Sequence, residues 1–141
     1  MSVLQDPALE ELLDRLHRQS DEQIEEMKAY SARTDTDPAR LKAFRGDKLV
    51  ALDRDKAELC YQLCRATGAR RIVEIGTSYG VSTLYLAAAV RDNVRASGGD
   101  GVVIGTEYEP AKAKAARAHF AEAGLARFID LREGEIGRAH V

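Results

Sequence analysis

Apolar residues recur at helical spacing near the start of the chain, where Leu9, Leu12, Leu13, Leu16, Ile24 and Met27 stand among many charged positions. That period predicts an amphipathic helix running to about Tyr30, with Asp6 as its N-cap and Pro7 as its first residue. The polar cluster Thr34-Asp35-Thr36-Asp37-Pro38 breaks the pattern, and Asp37-Pro38 predicts the cap of a short second helix toward Phe44. A third helix is expected after an N-cap at Asp53, carrying Leu59, Leu63 and Cys64 and closed by Gly68. From Arg71 the pattern changes. Ile72-Val73-Glu74-Ile75 is a β-prone apolar run that feeds a glycine turn, followed by a helix over 81–94 with Leu84, Leu86, Ala87 and Ala88 on its inner side. The segment Ser97-Gly98-Gly99-Asp100-Gly101 reads as a flexible turn. Residues 102–106 then read as a second buried strand, 110–123 as an alanine-rich helix ended by Gly124, and 128–131 as a third strand. This alternation predicts an α/β fold, a parallel sheet with flanking helices and right-handed crossovers, preceded by amphipathic helices.

At 141 residues the chain is one domain's worth, with 45% apolar and 31% charged residues, an ordinary composition for a chain that folds. A formal net charge of -2 gives no field that would attract a phosphate backbone, so no nucleic-acid partner is expected. No apolar run approaches the ~20 residues needed to cross a bilayer, and no basic-then-apolar signal opens the chain, so no membrane partner and a cytoplasmic location are expected. Cys60 and Cys64 fall on one helical face with no further cysteine to complete a metal site, and read as ordinary buried thiols. His17, His119 and His140 are dispersed and read as surface-helix or tail residues, leaving no metal ligand set.

The chemistry concentrates in Glu74-Ile75-Gly76-Thr77-Ser78-Tyr79-Gly80-Val81-Ser82. A strand ends beside a carboxylate, two glycines follow at Gly-x-x-x-Gly spacing, and a helix begins. Glycine allows unusual dihedrals and close approach, and the turn sets backbone N–H groups and a positive helix end beside a ligand. The spacing differs from the Gly-x-Gly-x-x-Gly dinucleotide fingerprint. Glu107 terminates the second strand, where a carboxylate can accept hydrogen bonds from both hydroxyls of a ribose.

With these residues the chain resembles the class I S-adenosylmethionine-dependent methyltransferases. The resemblance implies that the loop of Gly76, Thr77, Ser78, Tyr79 and Gly80 holds the methionine portion of S-adenosylmethionine, with Ser82 offering a hydroxyl to its carboxylate. It further implies that Glu74 either meets the amino end or orders the loop, and that Glu107 takes the ribose. Leu52-Asp53-Arg54-Asp55-Lys56-Ala57-Glu58, followed by Tyr79-Gly80-Val81-Ser82, is similar to the catechol-type, metal-dependent small-molecule O-methyltransferases. That similarity implies that Leu52 touches the cofactor through its backbone, while Asp55 and Lys56 decorate a solvated helix. It also implies a small hydroxylated methyl acceptor and a divalent metal such as Mg2+ in the intact protein. The family's metal carboxylates, catalytic lysine and most of its acceptor pocket fall beyond Gly134, so no catalytic residue is assigned.

Residues 1–45 are expected to form a helical appendage, 46–134 part of a cofactor-binding Rossmann-like domain, and 135–141 a tail foreign to it. Glu135-Ile136-Gly137-Arg138-Ala139-His140-Val141 reads as a translated sequencing adapter, encoded by GAG ATC GGA AGA GCA CAC GTC with a stop codon next, which implies a truncated reading frame. A natural short tail is the alternative. Truncation would leave the first strand at a sheet edge with apolar residues uncovered. Two other functions compete: a nicotinamide-dependent Rossmann oxidoreductase, and a non-catalytic module whose residues 1–33 bind a partner. The first helix is otherwise expected to pack on its own sheet or across a homodimer.

Overall fold

A computed structural model describes residues 3–33 and 37–134. The expectations for 135–141, including His140, and for residues 34–36 lie outside them.

The first helix, α1 (Pro7–Ser31), starts as local rules require: Asp6 is extended, its carboxylate accepts from the Leu9 amide (3.2 Å), and Pro7 needs no amide partner. Leu9, Leu12, Leu13, Leu16 and Ser20 are buried, while Ile24 and Met27 farther along are half-buried. The short α2 (Pro38–Gly46) is capped by Asp37 and buries nothing fully, leaning on α1 through stacked rings of Tyr30 and Phe44 (centroids 4.1 Å apart).

In α3 (Arg54–Ala66) two expectations are corrected. Asp53 occupies the N-cap position, but its carboxylate accepts from Lys56 Nζ (2.5 Å) instead of a backbone amide, a charged donor outcompeting a neutral one. The helix turns Ala57 and Tyr61 inward and leaves Leu59 and Leu63 more than half exposed. Both pairs share helical spacing, and contact with the next helix, not periodicity, chooses between them. Cys60 and Cys64 are half-buried, not buried.

Strands β1 (Arg71–Ile75), β2 (Val102–Glu107) and β3 (Ile129–Glu133) form a parallel sheet in the order β1-β2-β3. They alternate with α4 (Val81–Ser97) and α5 (Pro110–Glu122). The succession matches the expected one, with shifted ends: α4 runs on to Ser97, and Phe128 closes a 3-10 turn so that β3 starts at Ile129. The register aligns Ile72, Val103 and Ile129, and next to them Glu74, Gly105 and Leu131, on the face that α4 and α5 cover. On the opposite face Val73 and Ile75 are 69% and 68% exposed, and β1 stands at the sheet edge, as anticipated.

Apolar burial centres on α4, where Val81, Leu84 and the continuous run 87–90 are sealed between the sheet and the helices outside it. The leucines of α1 belong to this same buried cluster, together with Val103, Phe120 and Leu125. The histidines are corrected as well. His17 Nε2 pairs with the hydroxyl of fully buried Tyr85 (3.0 Å), and His119 Nδ1 with the Tyr79 carbonyl (2.8 Å). No described helix is long and apolar enough to cross a membrane.

Candidate functional site

The turn leaving β1 has alternate residues in the left-handed region: Gly76 (φ 83), Ser78 (φ 52) and Gly80 (φ 85). For Gly76 the space around a would-be Cβ is open, so glycine there serves conformation. At Gly80 a Cβ would also meet Phe120 Cε1 at 2.5 Å, so glycine lets the start of α4 pack against α5. Ser78 bears left-handed strain without glycine's freedom, held by its amide's 2.7 Å bond to Glu107 Oε2. Gly105, midway along β2, makes room for the Thr77 side chain.

Thr77 and two residues of α4 converge on Glu74. Its Oε1 accepts from Ser82 Oγ (2.6 Å), and its Oε2 from Thr77 Oγ1 (3.1 Å) and from the buried Thr83 hydroxyl. Burial raises the Glu74 carboxyl above the ordinary carboxylate range, a shift the three hydroxyl donors oppose but do not cancel. Two oxygens offer about four lone-pair positions, so Oε1 retains room for a further donor. Thr83 was not anticipated, although a second hydroxyl beside Ser82 in the first turn of a helix was a readable signal.

Glu107, 7% exposed, is drawn onto the backbone around it. Besides Ser78 N, it accepts at Oε1 from the amides of Tyr108 and Glu109 (3.0 Å each). It thus ties the turn after β1 to the loop after β2. Only Oε2 keeps an open lone-pair direction, so a diol seeking both oxygens must displace an amide.

A cavity of about 380 Å3 lies where three walls meet. One is the turn 74–79, the second is Val81, Ser82 and Leu86 of α4, and the third is the segment 49–52 with Ala57 and Cys60 of α3. Of the residues expected to bind a cofactor, Leu52, Glu74, Gly76, Thr77, Ser78 and Ser82 line it together, as does Tyr79. Gly80 and Glu107 do not. The N-cap of α4, Gly80, supplies no side-chain bond to its first turn, so the α4 amides near the cavity are free of a side-chain cap and suit an anion. Leu49, Val50 and Ala51 were not anticipated as lining, and their sequence carries no motif that would have marked them. Among the described residues no group of three or more His, Cys, Asp or Glu side chains could hold a metal ion.

A parallel β-α-β-α-β sheet with an acidic end to β2 and a glycine turn after β1, the turn opening on a cavity, defines a Rossmann-like α/β fold. A family described as "Methyltransferase domain" matches residues 73–140. A catechol O-methyltransferase from Mycobacterium tuberculosis is 34% identical over 82 residues, 58% of this chain and 34% of that protein. Among solved structures, cofactor-bound Rv0187 from MTB superposes with a TM-score of 0.55 at 30% identity, covering 74% of this chain and 47% of its own. The O-methyltransferase TomG from Streptomyces achromogenes, in complex with SAM, gives 0.56 at 29% identity over 84% and 51%. Residues 73–140 thus match the methyltransferase-domain family, and the relatives that the chain resembles include O-methyltransferases. The chain spans about half the length of these two solved relatives and about a third of that catechol O-methyltransferase.

Proposed function

We propose that this chain carries the S-adenosylmethionine-binding part of an O-methyltransferase whose acceptor is a small hydroxylated molecule. The observation that supports it most is the single cavity shared by the glycine turn, the uncapped start of α4 and the segment around Leu52. The donor set fits the amino-acid end of the cofactor. The α4 amides and Ser82 suit its carboxylate, and the open position on Glu74 Oε1 suits its ammonium. Glu107 is assigned to the sugar through Oε2, with the Ser78 amide as the bond that yields when a second hydroxyl arrives. Gly76 and Gly80 shape the turn, and Leu52, which lines the cavity, is assigned to the cofactor through its backbone.

When bound, S-adenosylmethionine supplies an electrophilic methyl group for in-line transfer to an acceptor oxygen. This stretch contributes position: it holds the cofactor's two ends and, through Val81, Leu86 and Ala57, keeps water from the middle. A divalent metal such as Mg2+ at the acceptor belongs to the same reading, and no described residue is assigned to it. A cytoplasmic location, a homodimer and the absence of a nucleic-acid partner remain parts of the proposal. Calorimetric titration with S-adenosylhomocysteine and, separately, NADH tests it: binding of the first alone is expected, and binding of NADH alone would sink it.

A further inference from the structure

The segment 47–53, between α2 and α3, is a strap of irregular backbone that forms one wall of the cavity, with Leu49, Val50, Ala51 and Leu52 all lining it. It lacks regular secondary structure, so no backbone ladder within the strap fixes its path. Its fixings come from elsewhere in the fold. The Leu49 amide donates to Gln23 Oε1 (2.6 Å) and the Ala51 amide to Ser20 Oγ (2.8 Å), both on α1. At the near end the Tyr79 hydroxyl donates to the Asp47 carbonyl, and the Tyr79 carbonyl is in turn paired with His119. Ser20 is 2% exposed, a polar side chain buried at the end of the leucine face of α1. A hydroxyl in that position needs a hydrogen bond to justify its burial, and the strap supplies it.

The pattern is alternate. Leu49 and Ala51 are tied to α1, while the amides of Val50 and Leu52 have no partner among the described residues, and both residues are exposed, at 49% and 38%. Anchoring every second amide leaves the intervening backbone groups for whatever enters the cavity.

We propose that Ser20 and Gln23 are positioning residues for the cofactor site: α1 holds the strap in the conformation that presents the Val50 and Leu52 backbone to the ligand. The inference rests on the reading of this cavity as the S-adenosylmethionine site. A strap released from α1 is competent to bind only for the fraction of time it is docked, and the apparent affinity falls by that fraction.

The test compares the 141-residue chain with Ser20→Ala, Gln23→Met, the double variant and Gln23→Glu, which keeps an oxygen acceptor at the same reach. Amide hydrogen exchange at Leu49 and Ala51 reports docking without any ligand, S-adenosylhomocysteine titration reports affinity, and thermal melting reports the fold. In the double variant both amides are expected to exchange faster and S-adenosylhomocysteine to bind about tenfold more weakly, with cooperative melting kept. Gln23→Glu is expected to bind more tightly than Gln23→Met. Gln23 is half-buried, so the single variant at that position remains informative if Ser20→Ala perturbs the core. Wild-type binding with unchanged affinity in every variant overturns the positioning role alone. Failure of the wild-type chain to bind S-adenosylhomocysteine overturns the assignment of the cavity and the inference with it.

Discussion

Glu74 is where the chain holds a carboxylate against its solvation preference. Burial raises its pKa, the hydroxyls of Ser82, Thr83 and Thr77 lower it, and the net direction is upward. The folded chain therefore keeps a proton that the unfolded chain has released. This contribution to stability is complete below the unfolded value and is lost as pH rises through the folded one. Glu74→Gln should remove that decline, so the difference in melting temperature between variant and wild type should grow from about pH 4 toward neutrality. A constant difference would show that Glu74 titrates normally. The two glycines of the turn should also part company. Gly76→Ala meets only the left-handed backbone and should cost roughly 1 kcal/mol, whereas Gly80→Ala adds a clash with Phe120 and should cost roughly 3 kcal/mol. Denaturant midpoints measure both, and Phe120→Leu should recover part of the second loss but none of the first.

Among the elements, β1 is the exposed one. Its Val73 and Ile75 side chains stand on the uncovered face of the sheet while its outer backbone edge is unpaired among the described residues. An apolar edge strand templates association. Val73→Lys and Ile75→Lys should leave the melting temperature close to wild type and raise the concentration at which the chain self-associates, read by sedimentation velocity. If the charged variants associate as readily, the uncovered face is not the adhesive surface. The caps of α1 and α2 were legible because an Asp side chain reaches only the amides two or three residues ahead, a distance encoded in the chain itself. The inner face of α3 was not legible: Ala57 and Tyr61 are chosen over Leu59 and Leu63 because Tyr61 finds Asp92 on α4 (2.8 Å) and burial of its ring follows.

Across the whole molecule, α1 is joined to the sheet-covering layer by ion pairs of unequal depth. Arg91, 6% exposed, bonds Asp6 (2.5 Å) at the start of α1 and Asp92 (2.8 Å) beside it. Burial alone would raise the Asp6 carboxyl, but the Arg91 bond and the Leu9 amide leave it below its ordinary value. Its contribution to stability is therefore present above the unfolded value and lost as pH falls through the folded one, opposite in sign to that of Glu74. Arg91→Met leaves two carboxylates without their buried partner and should cost about 3 kcal/mol. Glu122→Gln breaks the Arg15–Glu122 pair (2.7 Å), half exposed on both sides, and should cost under ~1 kcal/mol. Urea unfolding separates the two, and equal losses would mean that burial does not govern these pairs.

The order of strands and helices, the glycine turn and the acidic end of β2 could be read from residue order because steric limits on dihedrals, apolar periods and short-reach caps act over a few neighbouring positions. Even the likeness to the methyltransferases rests on one contiguous stretch and a single carboxylate farther on. The gathering of three hydroxyls on Glu74, the bond from the Ser78 amide to Glu107 and the pairing of Ser20 and Gln23 with a strap far along the chain have no such local cause. They arise where α1, α4 and the turn are packed together, since burial obliges each polar group to find a partner and only the folded arrangement determines which one lies within reach.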